Sequence, residues 1–499
     1  MSSNKLIKTN QEGEDFISEL PEQLLSTILS YLPTDEAVCT SILSKKWTHS
    51  WRFVSRLDID QTQMTSKKKH SRLSKSKIMI NAKTVQNYKS VNLPTKIFNR
   101  VVEITSSILN SHRGELSSFR LVHFPKCLEN GILEGWVRYL VEEKEIQDLV
   151  LVRAAEGRSK KFLDPTDRVV LSTLILPINI LLSVSKLVLE NYNLGLLVSC
   201  TSDSYTNNLE TLKLSKICIG QEILEGVILS NCKSLKNLSL VMCFGFKKLK
   251  IDHTNIIFLE LQDIFTNEIH VTAVNLGVLV LHSIGCEPKG LVIDIPNLKV
   301  FCAYCVDGWS NFHLKSMLET NVILEECSDL LRSDHPRQYP NIFENLLVLK
   351  VDLELNKVRE AMPLAYVLRS CPYLEKLEVI ILKSDEYDSD GSLPYPSILF
   401  WEKREYSDYS HRLKFVTIMG FEAREQEMEF AKHLITRGTK LKMFTVFFNK
   451  CSSDRANTGL GLLKVPRASL DLCIEFKPAK EDAYGDQIED WALKYLDLV

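Results

Sequence analysis

Cys302-Ala303-Tyr304-Cys305 has the two-residue spacing at which a thiol pair can hold a metal or cycle through a disulfide. A zinc site needs a second such pair, or two histidines at a suitable distance, and none follows. Alternate residues of a strand face opposite ways, so the two cysteines read as small buried groups on a strand and its turn. His270 and His282 could do acid-base work, yet each stands in a repeating apolar pattern that favours a structural role. The chain has no Gly-rich loop ending in Gly-Lys-Ser/Thr, no GxGxxG, no GxSxG elbow and no HExxH helix. The expectation is a protein without catalytic centre, metal or cofactor, acting by binding.

The 499 residues carry 61 basic and 63 acidic side chains, so the net charge of -2 favours neither nucleic acid nor an anionic membrane as partner. Lys67, Lys68, Lys69, Arg72, Lys75 and Lys77 gather in a stretch poor in large apolar residues and read as a solvated loop; the sharper alternative is a nuclear-localisation or phosphate-binding patch. Thirteen cysteines, an odd number without small-scaffold spacing, fit reduced thiols in cytosol or nucleus. The first fifteen residues lack the apolar stretch of a secretory signal. The run from Val169 to Val184, interrupted by Pro177 and Asn179, is shorter than the about 20 residues of a membrane span.

The elements that would present a binding surface begin with DFISELPEQLLSTILSYLPTDEAVCTSILSKKWTHSW, Asp15 to Trp51, which reads as three short helices. Pro21 suits a first helical turn, and Leu24, Leu25, Ile28, Leu29 and Leu32 recur at helical spacing until Pro33. Thr34 can cap the second helix, with Ala37, Val38, Ser41 and Ile42 as its small or apolar face. Ser44 can cap a third, in which Trp47 and Trp51 stand one turn apart. A unit of about 40 residues rarely stabilises itself alone, and each buried leucine is worth roughly 1.5 to 3 kcal/mol, so this hook should dock onto something. Periodicity alone favours a capping subdomain that packs on its own chain.

The residues Asp15, Ile17, Leu20-Pro21, Leu24, Ile28-Leu29-Ser30, Leu32-Pro33, Ala37, Thr40-Ser41, Leu43-Ser44-Lys45-Lys46-Trp47 and Trp51 resemble the F-box of plant F-box proteins. The resemblance implies that Leu20, Pro21, Leu24, Ile28, Leu29, Leu32, Leu43 and Trp47 contact the Skp-type adaptor of a cullin-based ubiquitin ligase. Thr48 and His49 depart from the usual basic and leucine positions.

From about residue 100 the pattern LxxLxL takes over. Copies stand at Ile146-Leu149-Leu151, Val184-Leu187-Leu189, Leu209-Leu212-Leu214, Leu235-Leu238-Leu240, Ile256-Leu259-Leu261 and Leu276-Leu279-Leu281. Weaker ones follow at Leu298-Phe301-Ala303, Leu346-Leu349-Val351 and Leu374-Leu377-Val379, with a degenerate copy around Val322, Leu324 and Cys327. From Val184 to Leu298 the starts advance by 25, 26, 21, 20 and 22 residues, within the roughly 20 to 29 of leucine-rich repeats. Each copy predicts a short strand with alternate side chains inward; stacked units form one parallel sheet whose outward residues are left free to recognise a ligand. Units of constant length with regular asparagine ladders would point to an extracellular receptor. These vary in length and carry Cys or Ile after the strand, as in Leu240-Val241-Met242-Cys243, which points inside the cell and is similar to plant F-box repeats.

Beyond Glu386 the acidic DEYDSDGSLPYP reads as a loop, followed by strand, helix and strand around Leu413–Ile418, Glu425–Ile435 and Leu441–Val446. Met428, Ala431, Leu434 and Ile435 share one helix face. Trp401-Glu402-Lys403, the strand before Gly420-Phe421 and the Glu-rich helix leading to Leu441-Lys442 resemble the FBD domain of plant F-box proteins, although His411-Arg412-Leu413 replaces a usual Cys-Leu pair.

The expected fold class is α/β: a small three-helix F-box, then a curved leucine-rich repeat solenoid with a parallel sheet and a C-terminal FBD cap. The expected layout is 11–60 F-box, 61–100 basic linker loop, 101–385 repeats, 386–470 FBD and 471–499 tail. The resemblance implies a non-catalytic, substrate-recognising subunit of an SCF-type ligase, binding a Skp-type adaptor, through it a cullin, and a target protein, with neither nucleic acid nor membrane as partner. A small-molecule co-receptor and a solenoid scaffold with a vestigial F-box are the alternatives.

Overall fold

The computed structural model describes residues 17, 20–43, 45, 47–65, 94–154, 174, 181–194, 207–287, 290–304, 343–355, 361, 364–365, 367–368, 371–382, 401, 412–449 and 457–478. The basic cluster at 67–77, the degenerate copy at 322–327, Cys305, Ser44 and the acidic loop lie outside these. The chain divides into two compact units, 1–192 with 200–206, and 193–199 with 207–499.

The first unit opens with the three expected helices, α1 (Glu22–Leu29), α2 (Thr34–Cys39) with a 3-10 turn Thr40–Ile42, and α3 (Trp47–Ser50) with a 3-10 turn Trp51–Phe53. Thr34 does not cap α2: it is the helix's first residue, Pro33 precedes it without a side-chain cap, and its Oγ1 accepts the N–H of Asp58 at 2.8 Å. Four parallel strands follow, β1 (Arg56–Asp60), β2 (Ser118–His123), β3 (Asp148–Arg153) and β4 (Lys186–Glu190), paired in chain order. Two of these are repeat strands ahead of the expected first copy. Val54-Leu57-Ile59 and Leu116-Phe119-Leu121 carry the same three-then-two spacing, and all six side chains are buried. The segment expected as a loop over 61–100 is helical at both described ends, Gln61–Thr65 and from Thr95 in the helix Thr95–Ser111.

The second unit continues with β5 (Thr211–Ser215), β6 (Asn237–Val241), β7 (Lys248–Asp252), β8 (Phe258–Phe265), β9 (Glu268–Thr272), β10 (Val278–Gly285), β11 (Leu291–Asp294), β12 (Val300–Tyr304), β13 (Val348–Leu353), β14 (Lys376–Ile381), β15 (Phe415–Phe421), β16 (Met443–Phe448) and β17 (Cys473–Lys477). The main sheet runs β5-β6-β8-β10-β12-β13-β14-β15-β16-β17, all parallel. Its inward rows are Leu212-Leu238-Leu259-Leu279-Phe301-Leu349-Leu377 and Leu214-Leu240-Leu261-Leu281-Ala303-Val351-Val379, all buried. Each of the nine repeat copies that lie within the described residues, from Ile146-Leu149-Leu151 to Leu374-Leu377-Val379, thus supplies one strand, as its spacing predicts.

A second, three-stranded parallel sheet, β7-β9-β11, was not foreseen. Unit length explains it. The 26-residue unit from Leu209 has room for the helical segment Gln221–Leu229 after its strand, whereas the units of 21, 20 and 22 residues from Leu235, Ile256 and Leu276 return through a strand of four or five residues. A strand covers a given span with about half the residues of a helix, so short units choose it.

An asparagine ladder is present after all, ahead of the strands rather than behind them. The Nδ2 groups of Asn255, Asn275, Asn297 and Asn345 donate to the carbonyls of Lys233, Thr254, Val274 and Pro296 in the preceding unit, at 2.6 to 3.1 Å. The premise that these units lack a regular ladder is therefore corrected. A further correction concerns the segment from 471, expected as a tail: it contributes β17, which extends the ladder beyond β16.

Candidate functional site

The α1 sequence carries two apolar stripes, Leu24/Ile28 and Leu25/Leu29, one residue and about 100° apart. The hook buries one of them. Leu25 at 0% and Leu29 at 1% exposure form its interior with Ala37, Trp47, Trp51 and Val54. The other stripe faces solvent, with Leu24 50% and Ile28 45% exposed, joined by Tyr31 at 82%, Ile42 at 73% and Leu43 at 70%. Of the eight residues expected at an adaptor contact, Leu24, Ile28, Leu43 and Pro21 are exposed, Leu20 and Leu32 half-buried, and Leu29 and Trp47 interior. Tyr31 stands outside the helical spacing read for α1, and Ile42, which the spacing places on the small or apolar face of α2, lies exposed in the 3-10 turn after it. Periodicity cannot separate two adjacent apolar stripes, so nothing in the pattern could have said which one is wet.

The second expected surface, the outward face of the sheet, is only partly free. Phe258, Val278, Val280, Val300, Cys302, Tyr304, Val348, Ile380 and Met419 occupy outward positions of β8 to β15, and all are buried, at 6% exposure or less. These nine side chains form a second apolar core on the outward face, among outward polar residues such as Glu260, His282, Lys350 and Glu378, so only part of the face is left to vary and recognise a ligand. A polar cluster borders it: Lys376 Nζ lies 2.6 Å and Lys350 Nζ 3.3 Å from the Glu378 carboxylate, with Lys350 Nζ also 5.4 Å from the Tyr304 ring centre. On the same face Glu260, buried, accepts from Ser239 Oγ and lies 3.7 Å from Lys213 Nζ.

The described buried cysteines are not nucleophiles. Burial pushes the Cys302 thiol up to about 12, as it does those of Cys127, Cys232 and Cys243, so all four stay protonated and unreactive. His282 meets the edge of the Tyr304 ring, and His270 Nε2 lies 3.2 Å from its neighbour Glu268. Among the described residues no group of three or more His, Cys, Asp or Glu could hold a metal, and no helix is long and apolar enough to cross a membrane.

A three-helix hook with a wet apolar stripe, followed by stacked parallel leucine strands, defines a repeat protein built for protein contact. The At1g61320/AtMIF1 LRR domain family matches residues 108–459 and the F-box domain matches residues 17–58. The chain belongs to the At1g61320/AtMIF1 LRR domain family, with an F-box domain in front. It is similar to three Arabidopsis thaliana proteins. F-box protein At1g80960 is 26% identical over 87% of this chain and 83% of its own length. Putative F-box protein At1g67390 is 25% identical over 93% and 91%. F-box/FBD/LRR-repeat protein At3g52680 is 26% identical over 89% and 88%. The LRR match runs through 385 without a break, and β15, β16 and β17 continue the same parallel ladder.

Proposed function

We infer that this chain is the substrate-recognising subunit of an SCF-type ubiquitin ligase, in nucleus or cytoplasm, holding a Skp-type adaptor with its hook and a target protein with its repeats. One observation carries the reading: the hook keeps Leu24, Ile28, Ile42 and Leu43 in water although its own core is complete without them. Four large aliphatic side chains at 45% to 73% exposure on so small a body are explained by a partner's groove. Leu20, Pro21 and Leu32 flank them, while Leu29 and Trp47 act from inside, holding α1 against α3. The likeness to F-box-named relatives supports the same partner, and the FBD in one relative's name supports reading 386–470 as such a block. The subunit supplies proximity alone, raising the local concentration of target lysines at a conjugating enzyme borne by the cullin.

The test is adaptor binding by the full chain and by Leu24→Ala with Leu43→Ala. Each truncation at the centre of such an interface removes more than about 1 kcal/mol, so the pair weakens binding at least about 30-fold while the unfolding midpoint stays put. Unchanged affinity in the folded double variant would sink the assignment.

A further inference from the structure

Extending the adaptor-binding reading, we propose that the hook is also the amino-terminal cap of the repeat sheet, and that Thr34 and Ser30 are positioning residues that fix the angle at which it presents its adaptor surface. β1 is the first strand of its ladder and pairs with β2 on one side. The Ser55 carbonyl accepts the N–H groups of Ser117 and Ser118, so Ser55, Leu57 and Ile59 address β2, and the Asp58 N–H addresses the opposite edge. A bare strand edge invites pairing with another chain. Here the Thr34 hydroxyl, on a residue only 4% exposed, takes the Asp58 N–H at 2.8 Å.

The helices give up something for this contact. The N-cap of α2 is Pro33, which has no side-chain acceptor to offer the helix's amides, and the nearest hydroxyl, that of Thr34, is turned to the strand instead. At the end of α1, Ser30 Oγ donates to Ser26 O at 2.8 Å and accepts the Ser55 N–H at 3.1 Å. The other side of the hook is bolted to the chain entering β2. The Arg52 carbonyl accepts the N–H groups of Arg113 and Gly114 at 2.8 and 3.1 Å, and His112 Nε2 donates to the Val54 carbonyl at 2.8 Å. Gly114 approaches so closely that a Cβ there would lie 2.8 Å from Phe53 Cα. The hook is thus held on both flanks of β1, which accounts for its falling in one compact unit with β1 to β4.

The experiment uses the full chain carrying site-specific labels at His49 in the hook and Lys186 on β4, both exposed. The expected result is a narrow label-to-label distance distribution for the unaltered protein and for Thr34→Ser, and a broadened or shifted one for Thr34→Val, which keeps the shape and loses the acceptor. Amide exchange at Asp58 rises about tenfold in Thr34→Val and returns to normal in Thr34→Ser. Adaptor affinity stays within about twofold throughout, since Thr34 is buried and the exposed Leu24, Ile28 and Leu43 are left unaltered. A distribution in Thr34→Val as narrow as in the unaltered protein would overturn the proposal, as would a failure of Thr34→Ser to restore it. If Thr34→Val does not fold, Ser30→Ala decides the matter by the same distance measurement together with exchange at Ser55: an unchanged distribution and unchanged exchange overturn it. Failure of the unaltered chain to bind the adaptor would remove the adaptor reading and leave the distance result standing on its own.

Discussion

His123 ends β2 in full burial, with Nδ1 2.8 Å from the Phe124 carbonyl and Nε2 2.6 Å from the Tyr192 hydroxyl. A carbonyl only accepts, so Nδ1 carries the proton and Nε2 must accept from Tyr192. Protonating Nε2 would place a charge inside the core and make the Tyr192 hydroxyl give up the bond it donates, and burial, with the Arg153 charge, holds His123 down to about 4. Between that value and the ordinary 6.5 the unfolded chain binds a proton that the folded chain refuses, so stability is complete above pH 6.5 and drains away as pH falls towards 4. The loss is up to about 3 kcal/mol. His433, also held down to about 4 by burial, adds a loss of the same sign in the second unit. Urea midpoints of the full chain at pH 7 and pH 4.5 should therefore separate widely, and His123→Gln should narrow the gap in the first unit only. An equal gap in the variant would mean that another group governs acid sensitivity. At this scale the sequence was half legible: residue types and spacing marked Leu24, Ile28 and Leu43, but whether Leu29 or Leu24 faces water depends on which stripe of α1 meets Trp47. That is decided by where α3 lands, and no local pattern records it.

Among the elements, LxxLxL announced each main-sheet strand it matched because two inward leucines per unit leave a mark that survives poor copies. Val54-Leu57-Ile59 and Leu116-Phe119-Leu121 escaped because one lies inside the span of the hook motif and the other stands alone, more than one repeat length from the next copy at Ile146. The strands of the small sheet escaped because each offers only two inward residues, in β9 and β11 without the leading apolar residue of the repeat pattern, as in Glu268-Ile269-His270-Val271-Thr272. A further regularity was invisible for a different reason, being a matter of backbone alone. Asn191, Lys216 and Met242, each just after a strand, and Asp263 and Ser283, inside the longer β8 and β10, share a positive φ of 50° to 67°. Register places the last three in one row across β6, β8 and β10. Left-handed backbone costs an L-residue roughly 1 to 2 kcal/mol, and glycine escapes that cost while losing more entropy on folding. Ser283→Gly should therefore leave stability within about 1 kcal/mol of the unaltered chain, whereas Ser283→Val, β-branched and clashing, should lower it by about 1 to 2 kcal/mol. Thermal unfolding of the two variants side by side checks this, and equal destabilisation by both would show that the serine side chain, rather than the turn, matters there.

At the level of the whole chain, the class and the order of parts were legible, since a hook motif and repeated strand spacing are both read from short windows. The divisions were not. The 11–60 span read as F-box also holds β1, the chain's compact units part after Tyr192, and the last block shares the repeats' ladder. Such boundaries depend on which segments pair across long sequence separations, and a pairing leaves no local trace. β17 offers the clearest consequence. It pairs with β16 from Met443↔Cys473 to Phe447↔Lys477, and its Phe476 ring stacks on Phe448 at 5.5 Å. In a repeat array each unit is stabilised chiefly by its neighbours, so removing an end unit weakens the adjacent one and fades with distance along the ladder. A chain ending at 470 should show faster amide exchange in β16 than a chain ending at 478, a smaller rise in β15, and none in β2 or β3, with adaptor binding by the hook equal in the two. Uniform acceleration from β2 to β16 would mean that the array unfolds as a single cooperative body.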